Sequence, residues 1–258
     1  MLSIVLPSWK DPLLAPTIAD LLAQAQGDIE VLPVIDGYAL QVALPDDPRV
    51  RVIHRETNGG MREAINTGVE AARGEWLMRM DEHQRVGPGY DVILTGACPP
   101  DCIITPRRYA LDPVRWAIME DIPPVDYMKL KIVHYDRGEK FSGVEWRRPD
   151  RDHLVVDETM AMQGSCWAMP HAWWDRVIGR LESEGYGTHY QDSHEMVFKT
   201  WQAGGRLLVH KGTWHAHKHR KFPRTHGYGG ALADASFAHC LAVWRDYYEQ
   251  EIRPRWGI

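Results

Sequence analysis

The sequence predicts a single α/β domain in which helices flank a mixed, mainly parallel sheet. Its first ninety residues alternate short apolar runs with amphipathic stretches of helical period, the pattern of strands joined by crossover helices. With 258 residues, 44% of them hydrophobic, the chain is long enough to bury one sizeable core. It contains no internal repeat, low-complexity tract or clear linker, so a single domain is expected.

Residues 1–98 form the first predicted unit, and strands and helices alternate along it. A helix is predicted at 17–27, and a second runs from Asn58, which can cap it, to Gly74, which ends it. Apolar runs predict strands at 3–8, 29–36, 49–55 and 75–80.

The pattern weakens over residues 99–159, where one strand is predicted at 102–109 and the rest is loop-rich. We interpret this part as an insertion or an acceptor-side segment. Residues 160–230 regain a clear pattern, and residues 231–258 are expected to form a C-terminal helical extension. Within 160–230 the sequence predicts a strand and helix at 162–179, a helix at 190–205 and a strand at 206–210.

Composition excludes several classes of protein. The formal net charge of -5 argues against a surface that tracks nucleic acid as a whole, although a local basic patch remains compatible with it. The four cysteines show neither zinc-ribbon spacing nor the density of a disulfide scaffold. No apolar run reaches about 18 residues, and the N-terminus lacks the basic opening of a signal peptide, so a cytoplasmic location is expected.

The tripeptide Asp81-Glu82-His83 directly follows the apolar run 75–80. On an extended segment Asp81 and His83 point to the same side, where a carboxylate oxygen and an imidazole nitrogen can hold Mn²⁺. Two protein ligands would leave coordination positions open for phosphate oxygens. A solvated acidic turn is the alternative, and the tripeptide taken alone favours it.

A second chemical cluster lies in the stretch "WHAHKHR". His215, His217 and His219 alternate there, so one of them can complete the coordination of a metal, while Lys218 and Arg220 can neutralise phosphate charge. A solvated basic loop or an incidental zinc site explains the same residues equally well.

Two acids, Asp192 and Glu195, lie at the start of the helix predicted at 190–205. Acids in a first turn are often favourable for the helix dipole alone. Alternatively, one of them is a general base that takes a proton from an attacking hydroxyl.

In chain order these stretches resemble the family 2 glycosyltransferases with the GT-A fold. The segments "SIVLPSWKDP", "VIDGY" and "NGGMREAINTGVEAARGEWLMRMDEH" are similar to the donor half of that family. "GSCWAMPHAWW" and "YQDSHEMVFKTWQAGGRL" are similar to its acceptor half. The family's usual metal motif is Asp-x-Asp, whereas Asp81-Glu82-His83 is the Asp-x-His version of the polypeptide N-acetylgalactosaminyltransferases, in which a later histidine is a third ligand.

The resemblance implies roles for individual residues. Asp81, His83 and His217 would hold Mn²⁺ or Mg²⁺ against the diphosphate of a nucleotide sugar, and Asp36 would contact its base or ribose. Asp192 has the position of the catalytic base in inverting members, with Glu195 as second choice. The implied donor-binding residues are Pro7, Ser8, Asp36, Asn58, Gly60, Arg62, Asp81, Lys218 and Arg220.

Two positions depart from the family pattern. Gln191 precedes Asp192 where a glycine or an acid is more usual, and Ile65 stands where the helix often carries an arginine that Arg62 would replace.

The predicted function is therefore metal-dependent transfer of a sugar, from a UDP-linked donor, to a hydroxyl acceptor with inversion. The acceptor is a saccharide, a glycolipid, a protein side chain or a hydroxylated DNA base. Because the relatives that share Asp-x-His retain configuration, a retaining mechanism stays open. A noncatalytic module that binds sugar nucleotides or glycans and a nucleotidyltransferase are the alternatives from other classes.

Overall fold

The computed structural model describes residues 1–219 and 230–258. Its strands are β1 (Leu2–Ser8), β2 (Ile29–Asp36), β3 (Ile53–Arg55), β4 (Trp76–Met80), β5 (Gln84–Val86), β6 (Cys102–Asp112), β7 (Ala117–Ile118), β8 (Tyr127–Tyr135), β9 (Gly138–Trp146), β10 (Val156–Glu158), β11 (Cys166–Pro170) and β12 (Arg206–His217). Its α-helices are α1 (Leu14–Gln24), α2 (Gly60–Ala71), α3 (Tyr90–Ala97), α4 (His171–Trp173), α5 (Asp192–Gln202), α6 (Gly230–Tyr247) and α7 (Arg253–Arg255). A 3-10 turn and two π-helical turns complete the set, at Pro149–Arg151, Trp174–Ile178 and Tyr248–Ile252.

The described residues form one mixed sheet with the strand order β10-β12-β6-β11-β4-β1-β2-β3. In addition, β5 pairs with β12 and β7 pairs with β6. Strands β1, β2, β3 and β4 are parallel to one another, and β6 is parallel to β12. Because β11 runs antiparallel to both β4 and β6, those two strands point the same way. The predicted fold class, a mixed and mainly parallel sheet flanked by helices in one domain, is confirmed.

Each face of the sheet carries its own apolar core. On β1, Val5 packs with the α2 residues Ala64 and Ile65, whereas Ile4 and Leu6 pack on the opposite face with α1 and α3. This two-sided burial explains why the parallel strands read as continuous apolar runs. Helix α2 lies close to the sheet because Gly68 has no side chain there: a Cβ would lie 2.3 Å from a methyl carbon of Val5.

Two expectations for the strands need correction. The third strand was predicted over 49–55, but only Ile53–Arg55 forms a ladder with β2, and Val50 makes a single bridge. The strand predicted at 206–210 instead continues to His217, because its second half pairs with both β5 and β6.

The segment 99–159 is more regular than the sequence indicated. Strand β6 enters the main sheet, and β8 and β9 form a separate antiparallel hairpin over residues interpreted as loop-rich. The expected C-terminal helices cover this hairpin: Tyr248 donates a hydrogen bond to the Leu130 carbonyl and packs on Phe141. Within the described ranges, no helix combines the length and apolar character needed to cross a membrane. The cytoplasmic location stays a prediction.

Candidate active site

Asp81, His83 and His217 meet at the carboxyl edge of the sheet. The Nε2 atom of His217 lies 3.1 Å from Oδ2 of Asp81 and 3.1 Å from Nε2 of His83, and the remaining side of this triangle is 3.9 Å. Their side chains are only 16%, 4% and 12% exposed. Adjacent ligands that each lie about 2.1 Å from one cation are separated by about 3 Å, so these three residues can share a divalent metal.

Pairing between strands brings the three residues together across the chain. Asp81 follows β4, where its backbone amide donates to the Ser165 carbonyl. His217 ends β12 and lies in register with Gln84 of β5, directly after His83. The amide of Lys218 then donates to the His83 carbonyl, which closes the arrangement.

Two further charged residues orient the ligands. Arg79, 2% exposed, donates from a guanidinium nitrogen to Oδ1 of Asp81 at 2.6 Å and leaves Oδ2 for the triangle. Nδ1 of His83 lies 3.1 Å from Oδ2 of buried Asp11, so the opposite ring nitrogen faces Asp81 and His217. A carboxylate behind a histidine ligand fixes the tautomer and ring orientation that metal binding needs.

The protonation states suit metal binding at neutral pH. Burial raises the pKa of Asp81, but the Arg79 guanidinium and the two histidines outweigh this and hold the pKa well below its ordinary value. Burial lowers the pKa of His217, and Asp81 only partly opposes this effect. Near pH 7 the site therefore presents a carboxylate and a neutral imidazole, the forms that ligate a metal.

We expect Asp11→Asn to weaken Mn²⁺ binding about 10- to 100-fold, the usual effect of removing a carboxylate behind a ligand histidine. Asparagine keeps the side-chain oxygen that accepts from the Leu13 amide, so α1 should begin as before. Calorimetric titration with MnCl₂ measures the effect. Asp28→Asn is the control, because Asp28 is exposed before β2, at the opposite edge of the sheet. Equal Mn²⁺ affinity in the wild type and Asp11→Asn would contradict this support role.

A cavity of about 430 Å³ lies in the loops after β1 and β2. It is lined by Lys10, Asp11 and the segment 37–42. Tyr38 in that segment is held by a 2.6 Å hydrogen bond to Ser8. Because Asp11 also contacts His83, the cavity adjoins the proposed metal ligands.

Asp36 has a structural role that the sequence did not indicate. Its carboxylate accepts from the amides of Gly59 and Gly60, at 3.0 and 2.8 Å, and pairs with Arg55. It thereby caps α2 from the neighbouring strand. The prediction that Asn58 caps this helix is wrong, because Asn58 donates instead to the backbone carbonyl of Asp36. Gly60 begins the helix with φ at +81°, a conformation that glycine adopts without strain.

Arg62 and Glu195 pair inside the protein. They are 0% and 1% exposed, and a second cation, Lys199, lies 2.7 Å from the other oxygen of Glu195. The proposed donor contact of Arg62 and the base role of Glu195 both need correction, because each group is committed to the other away from solvent. Sequence alone could not pair residues 133 positions apart.

The other residues predicted for the site lie in different environments. Asp192 is half-buried in the first turn of α5, and Ser193 beside it packs on Gly164, whose carbonyl accepts a hydrogen bond from Arg79. Pro7 lies within β1 in register with Val34, in the sheet interior. Arg220 lies outside the described residues.

Sequence reasoning missed Arg79 and Asp11. Arg79 is the one charged residue in "WLMRM", and Asp11 follows β1 in the stretch "SWKDP". A charge inside a buried strand and an acid after a strand are each signals of a site, since neither is easily explained by packing.

Comparison with known proteins relates the first part of the chain to a known family. Residues 3–94 match the model of glycosyl transferase family 2. Over these residues, about a third of the chain, it resembles the family 2 glycosyltransferases. Its likeness to the crystal structure of GalNAc-T7 with UDP, GalNAc and Mn²⁺ covers 98% of this chain and 50% of that one, at 18% identity and a TM-score of 0.75.

Two relatives show how far the chain resembles named proteins. An uncharacterized glycosyltransferase, EpsJ of Bacillus subtilis, is 37% identical over 31% of this chain and 25% of its own length. Polypeptide N-acetylgalactosaminyltransferase 12 of Mus musculus is 24% identical over 79% of this chain and 34% of its own length. The chain thus spans about a quarter to a third of the length of these relatives.

Proposed function

We propose that this glycosyltransferase moves a sugar from a nucleotide-sugar donor, expected to be UDP-linked, to a hydroxyl acceptor with Mn²⁺ or Mg²⁺ bound. The observation that carries the proposal is the convergence of Asp81, His83 and His217 at the ligand-binding edge of the sheet. The GalNAc-T7 structure contains UDP and Mn²⁺ on a similar fold, which supports the same kind of donor here.

The nucleoside and the diphosphate of such a donor correspond to two neighbouring parts of the site. A nucleoside fits the cavity after β1 and β2, where Lys10 and Tyr38 contribute a charge and a ring. The diphosphate would then reach the neighbouring ligands Asp81, His83 and His217. A divalent cation bound there would supply Lewis-acid stabilisation of the charge that develops on the leaving diphosphate.

Asp192 is our proposed general base. It lies at the N-terminus of α5, beside the loop that Arg79 connects to Asp81. In this role it accepts the proton of the acceptor hydroxyl as the acceptor oxygen attacks the anomeric carbon, which inverts configuration. Retention, the alternative for an Asp-x-His site, would exclude that role.

Turnover of nucleotide sugars with Mn²⁺ tests the proposal. We expect the protein to release a nucleoside diphosphate, and we expect this activity to be lost when EDTA removes the metal. Asp192→Asn should lower kcat about 10²- to 10⁴-fold, the usual contribution of a general base, and leave nucleoside diphosphate affinity unchanged. Glu184→Gln is the matched control, because Glu184 is exposed in the preceding loop.

Each of the other outcomes would indicate a different function or mechanism. Binding of a nucleotide sugar without turnover would indicate a noncatalytic module. Release of pyrophosphate would indicate a nucleotidyltransferase. A retained anomeric configuration in the product would remove Asp192 from the base role while leaving glycosyl transfer intact.

A further inference from the structure

Arg108 lies on the metal face of the sheet. It is in register with His215 of the parallel strand β12, and two residues along, Ala110 is in register with His217. Since side chains alternate along a strand, Arg108 leaves the sheet on the same side as His215 and His217. Adjacent strands lie about 4.8 Å apart, so the side chain of Arg108 leaves the sheet next to that of His215.

In the part of the chain that the structure describes, no carboxylate makes an ion pair with this guanidinium, and the charge of Glu145, which pairs with Arg147, only partly opposes the effect of burial on it. Its neighbour Arg107 makes two hydrogen bonds to Asp126, at 2.6 and 2.7 Å, and Arg79 is committed to Asp81. Within residues 1–219 and 230–258, the side chain of Arg108 makes neither a hydrogen bond nor an ion pair. The sequence of residues 220–229 contains neither aspartate nor glutamate.

Partial burial makes this state costly for Arg108. Burial lowers its pKa, which indicates that the charge has lost part of its hydration without a hydrogen-bonded counter-ion. A half-buried cation beside a group suited to a divalent metal would repel that metal unless an anion lay between them. The arrangement therefore suits a ligand that brings its own negative charge to both.

We propose that Arg108 binds a phosphate of the donor diphosphate, next to the cation held by Asp81, His83 and His217. This inference rests on the proposed function. During transfer the bond between the anomeric carbon and the diphosphate oxygen breaks, and its electron pair stays on that oxygen. The acceptor oxygen forms the new bond, and its proton passes to Asp192. Arg108 donates to the phosphate oxygens on which negative charge increases, as a planar guanidinium can do with two parallel hydrogen bonds.

Calorimetric binding of UDP, GDP, CDP and dTDP, each with saturating MnCl₂, identifies the nucleoside diphosphate that the wild type prefers. For that ligand we expect Arg108→Gln to weaken binding about 10- to 100-fold, since a charged hydrogen bond is lost. The matching nucleoside, which has no phosphate, should bind both proteins equally. Arg108→Lys keeps the charge but not the planar fork and should have an intermediate affinity.

Arg206→Gln is the matched control, because Arg206 is exposed at the opposite end of β12. It should bind the nucleoside diphosphate as the wild type does. Equal affinity in the wild type and Arg108→Gln would overturn the inference, as would parallel losses for the nucleoside or in Arg206→Gln. If none of the four nucleoside diphosphates binds the wild type, the proposed function itself fails.

Discussion

Asp81→Asn should lower kcat/KM by at least about 10³-fold, because several kcal/mol of charge stabilisation on the leaving diphosphate is lost with the metal. The carboxylate supplies the negative charge of the group, while burial lowers the pKa of His217 and keeps it neutral near pH 7. Asparagine keeps an oxygen that can accept from Arg79, so the guanidinium retains a partner. The fold should therefore tolerate Asp81→Asn better than Asp81→Ala, which would leave Arg79 without this acceptor.

Nucleoside diphosphate release with titrated MnCl₂ measures this effect, and the melting temperature without metal measures folding. Glu75→Gln is the control, since Glu75 is exposed at the other end of β4. His217→Ala, on a different strand, should reproduce the loss of Mn²⁺ affinity. Activity that survives both Asp81→Asn and EDTA would show that the three residues do not hold a catalytic metal.

The sequence predicted the parallel half of the sheet well. Residues 29–36 form β2 over that same range, because a strand buried on both faces gives an uninterrupted apolar run. It failed at the hairpin of β8 and β9, where Tyr127, Met128, Leu130 and Phe141 are the buried residues and charged residues lie among the others. The alternation of Met128, Leu130 and Ile132 with two lysines, followed by the turn at 136–137 and Gly138, was the signal that could have found it.

The site was predictable where residues are close in sequence. Asp81 and His83 follow from strand alternation, whereas His217 came from resemblance because strand pairing over a long separation is not visible in the chain. The same limit hid the role of Asp36, whose acceptance from the Gly59 and Gly60 amides depends on how β2 and α2 pack. The chemical role of a residue was therefore easier to predict than the distant residues that it contacts.

Arg62→Met should lower the free energy of unfolding by about 3–5 kcal/mol, the usual cost of breaking a buried ion pair by removing one partner. Arg62 is fully buried and donates to the carbonyls of Glu182 and Tyr190, as well as to Glu195. Its guanidinium also lies 4.2 Å from the ring centre of Tyr186. Losing it removes the contacts that attach the loop before Asp192 to α2.

Urea unfolding of Arg62→Met, Glu195→Gln and the double variant separates the pair from its surroundings. Glu195→Gln alone leaves the Arg62 cation without its carboxylate, so it should also destabilise. The double variant should be less destabilised than the sum of the two, because no uncompensated charge remains on this pair. Arg73→Met is the control, since Arg73 is exposed just beyond α2.

Strict additivity in this cycle would show that Arg62 and Glu195 contribute independently. A change under about 1 kcal/mol for Arg62→Met would show that the pair is dispensable, as Lys199 also neutralises Glu195.

Coupling between Arg62 and Glu195 has a consequence for catalysis as well. Arg62 joins α2, the helix that Asp36 caps, to the loop before Asp192. A milder variant, Arg62→Lys, should therefore lower kcat while its melting temperature stays close to that of the wild type. Such a split would indicate that the buried pair positions the acceptor side of the site relative to the donor side.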